Sequence, residues 1–159
     1  MKRRIGIIMI TVVFSLLLMA CANKDDDGVL VSMSAEQLQS IVQSTNWEIT
    51  YFYDTDHEET SNFSGYSFSF NEDGTLVAVN GNTTVTGTWS INDNSGSSSD
   101  DDGNSSTNDN DLNIFFASPE EFEDLTDDWD IISISNDQIE LIDVSGGNGG
   151  TDYLTFSRL

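Results

Sequence analysis

The chain is short of several residue types, and each shortage argues against a class of function. Its 159 residues include one cysteine, one proline and one histidine. A single cysteine cannot form a disulfide within the chain, and His57 alone, in an acidic stretch, offers neither a Ser triad nor a Cys dyad. No apolar run reaches the ~18 residues typical of a transmembrane helix. We therefore expect no enzyme activity and no cofactor.

Basic residues are also scarce. The chain has 5 Lys and Arg residues against 28 Asp and Glu residues, a formal charge of −23. Three of the five lie at Lys2, Arg3 and Arg4, so that only Lys24 and Arg158 accompany the acidic residues in the remainder, whose formal charge is −26. Such a chain repels nucleic acid and anionic lipid headgroups, which excludes functions that need a basic patch.

The first residues have the pattern of an export signal. A basic start is followed by the apolar run Ile5–Leu18 and the sequence Leu18-Met19-Ala20-Cys21. This ending resembles the signals of bacterial lipoproteins, in which the cysteine is acylated and becomes the first residue. The resemblance implies that residues 1–20 are a signal peptide and that lipidated Cys21 anchors the chain to a membrane. An ordinary secretory signal is the alternative.

Residues 21–33 form an acidic tether, which we expect to be flexible and solvated. Lys24, Asp25 and Asp26 resemble the signal that exports many Bacteroidota lipoproteins to the outer face of the outer membrane. The expected location is therefore the cell surface. If these residues are only a charged spacer, the periplasmic face remains open.

The remainder, residues 34–159, is predicted to be one all-β domain after a short helix. Ser34 and Gln37 form a capping box that begins a helix over residues 35–44. Beyond it the apolar period changes to two, with Trp47, Ile49, Tyr51 and Tyr53 expected on the inner face of the first strand. Eight sequential strands joined mostly by short turns favour an antiparallel up-and-down barrel, because closure removes exposed edges. A β-sandwich is the alternative.

Residues 92–111 contain only Asn, Asp, Ser, Gly, Thr. This composition predicts a disordered surface loop inserted in a hairpin. Part of it, Ser98–Asp109, partly matches a calcium-binding EF-hand loop, but it begins with serine, lacks the apolar eighth position and has no flanking helices. We therefore predict no metal site.

Four short motifs resemble the lipocalin-like domain of Bacteroidota lipoproteins. They are Asn46-Trp47, Phe70-Asn71-Glu72-Asp73-Gly74-Thr75, Gly87-Thr88-Trp89 and the C-terminal Leu154–Leu159. The resemblance spans residues 34–159. It implies a barrel that holds at most one small ligand, and a contact between Trp47 and the basic Arg158.

The expected function is that of a membrane-anchored extracytoplasmic barrel binding a small molecule or a protein partner. The candidate ligand-contacting residues are Trp47, Phe68, Phe70 and Trp89. Acidic loops at residues 54–62 and 117–128 would share one mouth of the barrel, which favours neutral or cationic ligands. The alternative is a non-catalytic structural or immunity-type module, for which a filled interior would be the evidence.

Overall fold

A computed structural model describes residues 33–93, 110–145 and 150–159. Two short α-helices and a 3₁₀ turn accompany nine strands in these ranges. The helices are α1 (Ala35–Val42) and α2 (Glu120–Glu123), and the 3₁₀ turn is Thr60–Phe63. The strands are β1 (Trp47–Asp54), β2 (His57–Glu58), β3 (Ser67–Phe70), β4 (Thr75–Asn80), β5 (Thr83–Asp93), β6 (Asn110–Phe115), β7 (Asp127–Ile134), β8 (Gln138–Val144) and β9 (Thr151–Arg158).

The strands form a closed antiparallel barrel, as predicted. Each of β3 to β9 pairs with its neighbour in the chain, and β9 returns to pair with β1 along its length, from Trp47–Arg158 to Tyr53–Tyr153. The two-residue β2 only extends the edge of β1, so eight strands make the barrel. The junction of β1 with β3 is the weakest, since the single register pair there is Trp47 with Phe68.

The inner face of the barrel is the hydrophobic core. Alternate residues of each strand are buried, for example Val85, Trp89 and Ile91 on β5, which follow the alternation predicted for that strand. α1 packs its buried residues Leu38 and Val42 against this core from one end. The Trp47 indole Nε1 donates a hydrogen bond to the Val42 carbonyl at 2.7 Å, which ties the helix to β1.

The prediction for the second half of β1 was wrong. A β-bulge lies between Ile49 and Tyr51 in the pairing of β1 with β9. An extra residue in one strand reverses the faces that follow it. Phe52 is therefore fully buried, whereas Tyr51 is 41% exposed on the outer surface.

The predicted loop 92–111 is shorter than expected, because the hairpin strands continue into it. Asn92 pairs with Asp111 and Asp93 with Asn110. Asn110 is buried, and its Nδ2 donates to the Met33 carbonyl at 3.1 Å, while its Oδ1 has no hydrogen-bond partner. Polar composition alone missed this buried amide. The rest of the predicted loop, 94–109, lies outside the described residues, and with it the whole of the Ser98–Asp109 stretch.

The two helices are short. The capping box of α1 is present, with Ser34 and Gln37 each accepting a hydrogen bond from the other's backbone N–H. α1 ends at Val42 rather than at residue 44, and α2 begins after Pro119 without a side-chain cap. Within the described ranges, neither helix has the length and apolar character needed to cross a bilayer.

Candidate functional site

One end of the barrel is the candidate site, because acidic side chains from several loops and strand ends meet there. We call it the acidic mouth. Its first carboxylate group combines Asp54 at the end of β1, Glu59 before the 3₁₀ turn and Asp124 after α2, with one oxygen from each within 4.8 Å of the others. The sequence predicted that these two loops share an end of the barrel, and the structure brings them together.

A second carboxylate group lies on the strands beside the first. Asp127, Asp143 and Asp152 stand at the mouth ends of β7, β8 and β9, again with oxygens within 4.8 Å. Each lies two residues along its strand from a buried residue, Trp129, Leu141 or Leu154, and therefore on the same inner face of the barrel.

The two halves of the mouth are joined by the start of β9. Asp152 Oδ1 accepts hydrogen bonds from the Thr55 backbone N–H at 2.6 Å and from the Thr55 hydroxyl at 3.2 Å. Thr55 itself has φ 50°, a left-handed conformation that threonine rarely adopts. The carboxylate of Asp152 therefore caps the turn that ends β1.

His57 is the one histidine of the chain, and it lies exposed at the edge of this mouth. Its Nδ1 contacts the Asp56 carboxylate, and its Nε2 lies 2.5 Å from Glu59 Oε1. Hydrogen bonds to Asp56 and then Glu59 raise the pKa of His57. Protonated His57 would thus balance part of the negative charge of the first carboxylate group.

Crowding of acids also changes proton affinity at the mouth. Burial, followed by the nearby Glu59 and Asp54 carboxylates, raises the pKa of Asp124. Burial raises the pKa of Asp127 to about 6; the hydrogen bond from the Asp128 backbone N–H lowers it, and the carboxylates of Asp128 and Asp143 raise it. A group of three carboxylates can hold a cation or retain a proton, since either relieves the repulsion between them.

Aromatic side chains fill the barrel beneath the acidic mouth. Phe122 of α2 is fully buried and has ring neighbours at centroid distances of 5.1 Å to Phe116 and Tyr66 and 5.3 Å to Phe63. Phe63 in turn meets Phe52 at 5.6 Å. The loops therefore close the mouth with their own side chains.

The four predicted ligand-contacting residues all lie in the core. Trp47 and Phe68 are fully buried, and Phe70 and Trp89 are 4% and 7% exposed. Phe68 and Phe70 each meet Phe156, at 5.5 and 5.6 Å, and Phe70 also meets Trp89 at 5.4 Å. Their surroundings are other side chains of the same core. Phe156 thus joins Phe68 to Phe70, Phe70 contacts Trp89, and Trp47 is the register partner of Phe68, so the four residues form one chain of neighbours.

Grooves open on the surface of the described part of the barrel. One of about 480 Å³ runs beside Trp89, Phe115, Asp127 and Asp128 on β5, β6 and β7. Another of about 350 Å³ lies at the weak junction of β1 with the segment before β3, beside Ile49, Phe63 and Gly65. Neither groove is lined by Trp47, Phe68 or Phe70.

The motifs that carry the lipocalin-like resemblance contact one another. The Trp89 backbone N–H donates to the Gly74 carbonyl at 2.9 Å, and its indole Nε1 donates to the Asn71 carbonyl at 3.0 Å. Trp47 and Arg158 are register partners across β1 and β9. The Arg158 guanidinium donates a hydrogen bond to the Asn136 carbonyl at 3.5 Å. Trp47 and Arg158 are therefore neighbours along paired strands, while the guanidinium bonds elsewhere.

Sequence reasoning missed two groups of residues at this site. Asp143 and Asp152 were overlooked because only loops were searched for acids, although their parity with Leu141 and Leu154 marks them as inward-facing. Phe63 directly follows the predicted acidic loop 54–62 and Phe122 lies within the predicted loop 117–128, so neither was expected to close the mouth. Cys21, Lys24, Asp25 and Asp26 lie outside the described residues.

Comparison with solved structures yields a likeness of fold. No protein-family model matches the chain, and no curated protein matches it. The barrel is similar to the crystal structure of a DUF4847 family protein from Bacteroides vulgatus ATCC 8482, with 17% sequence identity and a TM-score of 0.43. The alignment covers 76% of this chain and 96% of that one.

Proposed function

We propose that this protein is a lipid-anchored extracytoplasmic module whose barrel acts through its outer surface on a protein partner, without a small molecule in its interior. The sequence left open a barrel that binds a small molecule or a protein, and a structural or immunity-type module with a filled interior. The proposal takes protein binding from the first and the filled interior from the second. The observation that carries it is the packing of the barrel.

The filled interior argues against a carrier of hydrophobic ligands. An eight-stranded barrel is just wide enough either to be filled by its own side chains or to hold one small ligand. Here Phe63, Phe122, Phe116 and Leu125 are at most 1% exposed and occupy the mouth through which a ligand would enter. A ligand would have to displace several aromatic rings that pack against one another.

The charge of the mouth argues in the same direction. Six carboxylates surround the entrance, in two groups of three. Fatty acids and other anionic amphiphiles would be repelled as they approached. Neutral apolar ligands would meet no such repulsion, but they would still find the entrance closed.

The lipid anchor rests on the sequence alone. The run from Lys2 to Cys21 has the order of a lipoprotein signal, and the one cysteine of the chain stands at the expected cleavage point. Several acyl chains on that cysteine would hold the protein at the membrane, since stable anchoring generally takes more than one. The acidic barrel would then stand away from anionic headgroups on its tether.

Metabolic labelling tests the anchor and its location. Cells expressing the chain are fed radioactive palmitate, and the Cys21→Ser variant serves as the control that lacks only the acylated atom. We expect label in the wild-type band alone. Protease added to intact cells should digest the wild type, whereas a variant with Lys24, Asp25 and Asp26 replaced by alanine should be protected. Label in both bands would refute the anchor, and equal digestion would refute the export signal.

A further inference from the structure

A row of aromatic and apolar side chains crosses the outer surface of the barrel. Tyr53 on β1 pairs with Tyr153 on β9, and Tyr153 pairs with Ile142 on β8. Residues paired across antiparallel strands lie on the same face, with Cβ atoms about 5 Å apart. We call Tyr53, Tyr153 and Ile142, with Tyr51 on the same face of β1, the tyrosine row.

Tyr51 and Tyr153 of the tyrosine row are exposed, whereas Tyr53 and Ile142 are half-buried. Tyr51 is 41% exposed and Tyr153 39%, and the nearby Val144 and Ile132 are 52% and 44% exposed. These four are the majority of the large apolar side chains that are exposed among the described residues. Clustered apolar exposure of this kind marks an interaction surface, whereas scattered single residues do not.

Acidic residues border the tyrosine row on both sides. Glu58 on β2 is the register partner of Tyr53. Glu140 on β8 pairs with Thr155, the residue opposite Tyr51. The ranges that the structure describes contain no lysine and one arginine, Arg158, whose guanidinium reaches the Asn136 carbonyl at the other end of the barrel. Of the basic groups in these ranges, His57 contacts Asp56 and Glu59 and Arg158 lies at the other end of the barrel, so a cation that faces Glu58 and Glu140 would be supplied by a partner.

Arginine fits such a surface better than lysine. Its planar guanidinium stacks on aromatic faces and forms paired hydrogen bonds with carboxylates, while the lysine ammonium is a compact and strongly hydrated charge. Tyrosine at the centre of an apolar patch with charged residues at its rim is the usual anatomy of a protein interface. An anionic membrane surface would be repelled by the same rim.

We propose that the tyrosine row, with its border of Glu58 and Glu140, is the docking surface for a protein partner that presents arginine side chains. This inference rests on the proposed function, since it names the surface and the chemistry of the partner. Phe115 on β6 provides a matched comparison, because it is an aromatic residue that is 53% exposed, in a groove that also contains Asp127 and Asp128.

The test measures binding of fluorescein-labelled hexa-arginine, hexa-lysine and hexa-glutamate to the mature lipidated protein in uncharged detergent micelles, by fluorescence anisotropy. We expect hexa-arginine to bind more tightly than hexa-lysine and hexa-glutamate not to bind. The double variant Tyr53→Ser, Tyr153→Ser should weaken hexa-arginine binding about tenfold or more, because both stacking faces are lost. Tyr53→Phe, Tyr153→Phe keeps the rings and should stay within about twofold of wild type, as should Phe115→Ser.

Two results would overturn the proposal. Equal affinity for hexa-arginine and hexa-lysine would mean that diffuse attraction to acidic residues accounts for the binding. An equal loss in the serine double variant and in Phe115→Ser would mean that the tyrosine row has no special part. With either result the proposed function still holds if the barrel interior contains no ligand. A ligand inside the barrel would refute the proposed function, irrespective of how the peptides bind.

Discussion

Replacing Phe122 with alanine should both destabilise the barrel and open a cavity at its mouth. Phe122 is fully buried, with four ring neighbours at centroid distances from 5.1 to 6.2 Å. Removing a buried phenylalanine side chain generally lowers the free energy of unfolding by about 3 to 5 kcal/mol. The number of ring contacts places Phe122 toward the upper part of that range, since each aromatic pair contributes about 0.5 to 1.5 kcal/mol beyond burial.

The assay is urea unfolding followed by tryptophan fluorescence, on a chain that begins at Ala22 and therefore carries no lipid. Phe115→Ala is the control, because it removes the same side chain from a position that is 53% exposed. We expect that control to lose less than about 1 kcal/mol. Benzene should stabilise Phe122→Ala and leave the wild type unchanged, since the apolar cavity that a removed phenylalanine side chain leaves stays dry and can bind benzene.

Two outcomes would refute this reasoning. A loss for Phe122→Ala no larger than that for Phe115→Ala would mean that the mouth is not filled by Phe122. Equal stabilisation of wild type and variant by benzene would mean that the native interior already contains room for a ligand.

Three further predictions concern charge, backbone and the helix. The folded state holds the pKa of Asp127 at about 6, above its ordinary 3.8, so its contribution to stability is present below about pH 4 and is lost as the pH rises through 6. Asp127→Asn should therefore gain about 1 kcal/mol at pH 7, discounted for partial exposure, and flatten the pH profile of urea unfolding between 4 and 6; a profile parallel to that of the wild type would contradict this. Gly87→Ala should cost about 2 kcal/mol or more in melting experiments, because its Cβ would lie 2.3 Å from the Phe115 carbonyl oxygen; a melting temperature equal to that of the wild type would speak against the close packing. Trp47→Phe should cost about 1 to 3 kcal/mol by leaving the Val42 carbonyl without its indole donor, and unchanged hydrogen exchange in α1 would show that the bond does not hold the helix.

Much of the fold could be predicted because local rules and the barrel agree with one another. The alternation on β5 and the turn at Asp73-Gly74 place Trp89 inward, and the structure has it there. The capping box of α1 could also be predicted from the sequence, since it depends on two residues three positions apart. In these regions no long-range contact opposes the local pattern.

The features of the fold that could not be predicted depend on contacts between segments that are distant in the sequence. The bulge in β1 is a property of its pairing with β9, and it alone decides that Phe52 rather than Tyr51 faces the core. Likewise, Phe122 lies in a strongly acidic stretch, and only the positions of Phe63, Tyr66 and Phe116 make its burial favourable. Part of the acidic mouth could be predicted, because the acidic residues of the loops are evident in the sequence. The inward direction of Asp143 and Asp152 could not, because it requires knowing which face of β8 and β9 lines the barrel.

The most direct test of the account is a native mass spectrum of the mature lipidated protein, isolated from membranes without chelators and released from detergent by collisions. A barrel filled by its own side chains predicts one mass, that of the acylated chain alone, at the lowest activation that removes detergent. A reproducible additional mass of a small organic molecule, lost on slightly stronger activation, would contradict the account and identify the protein as a carrier.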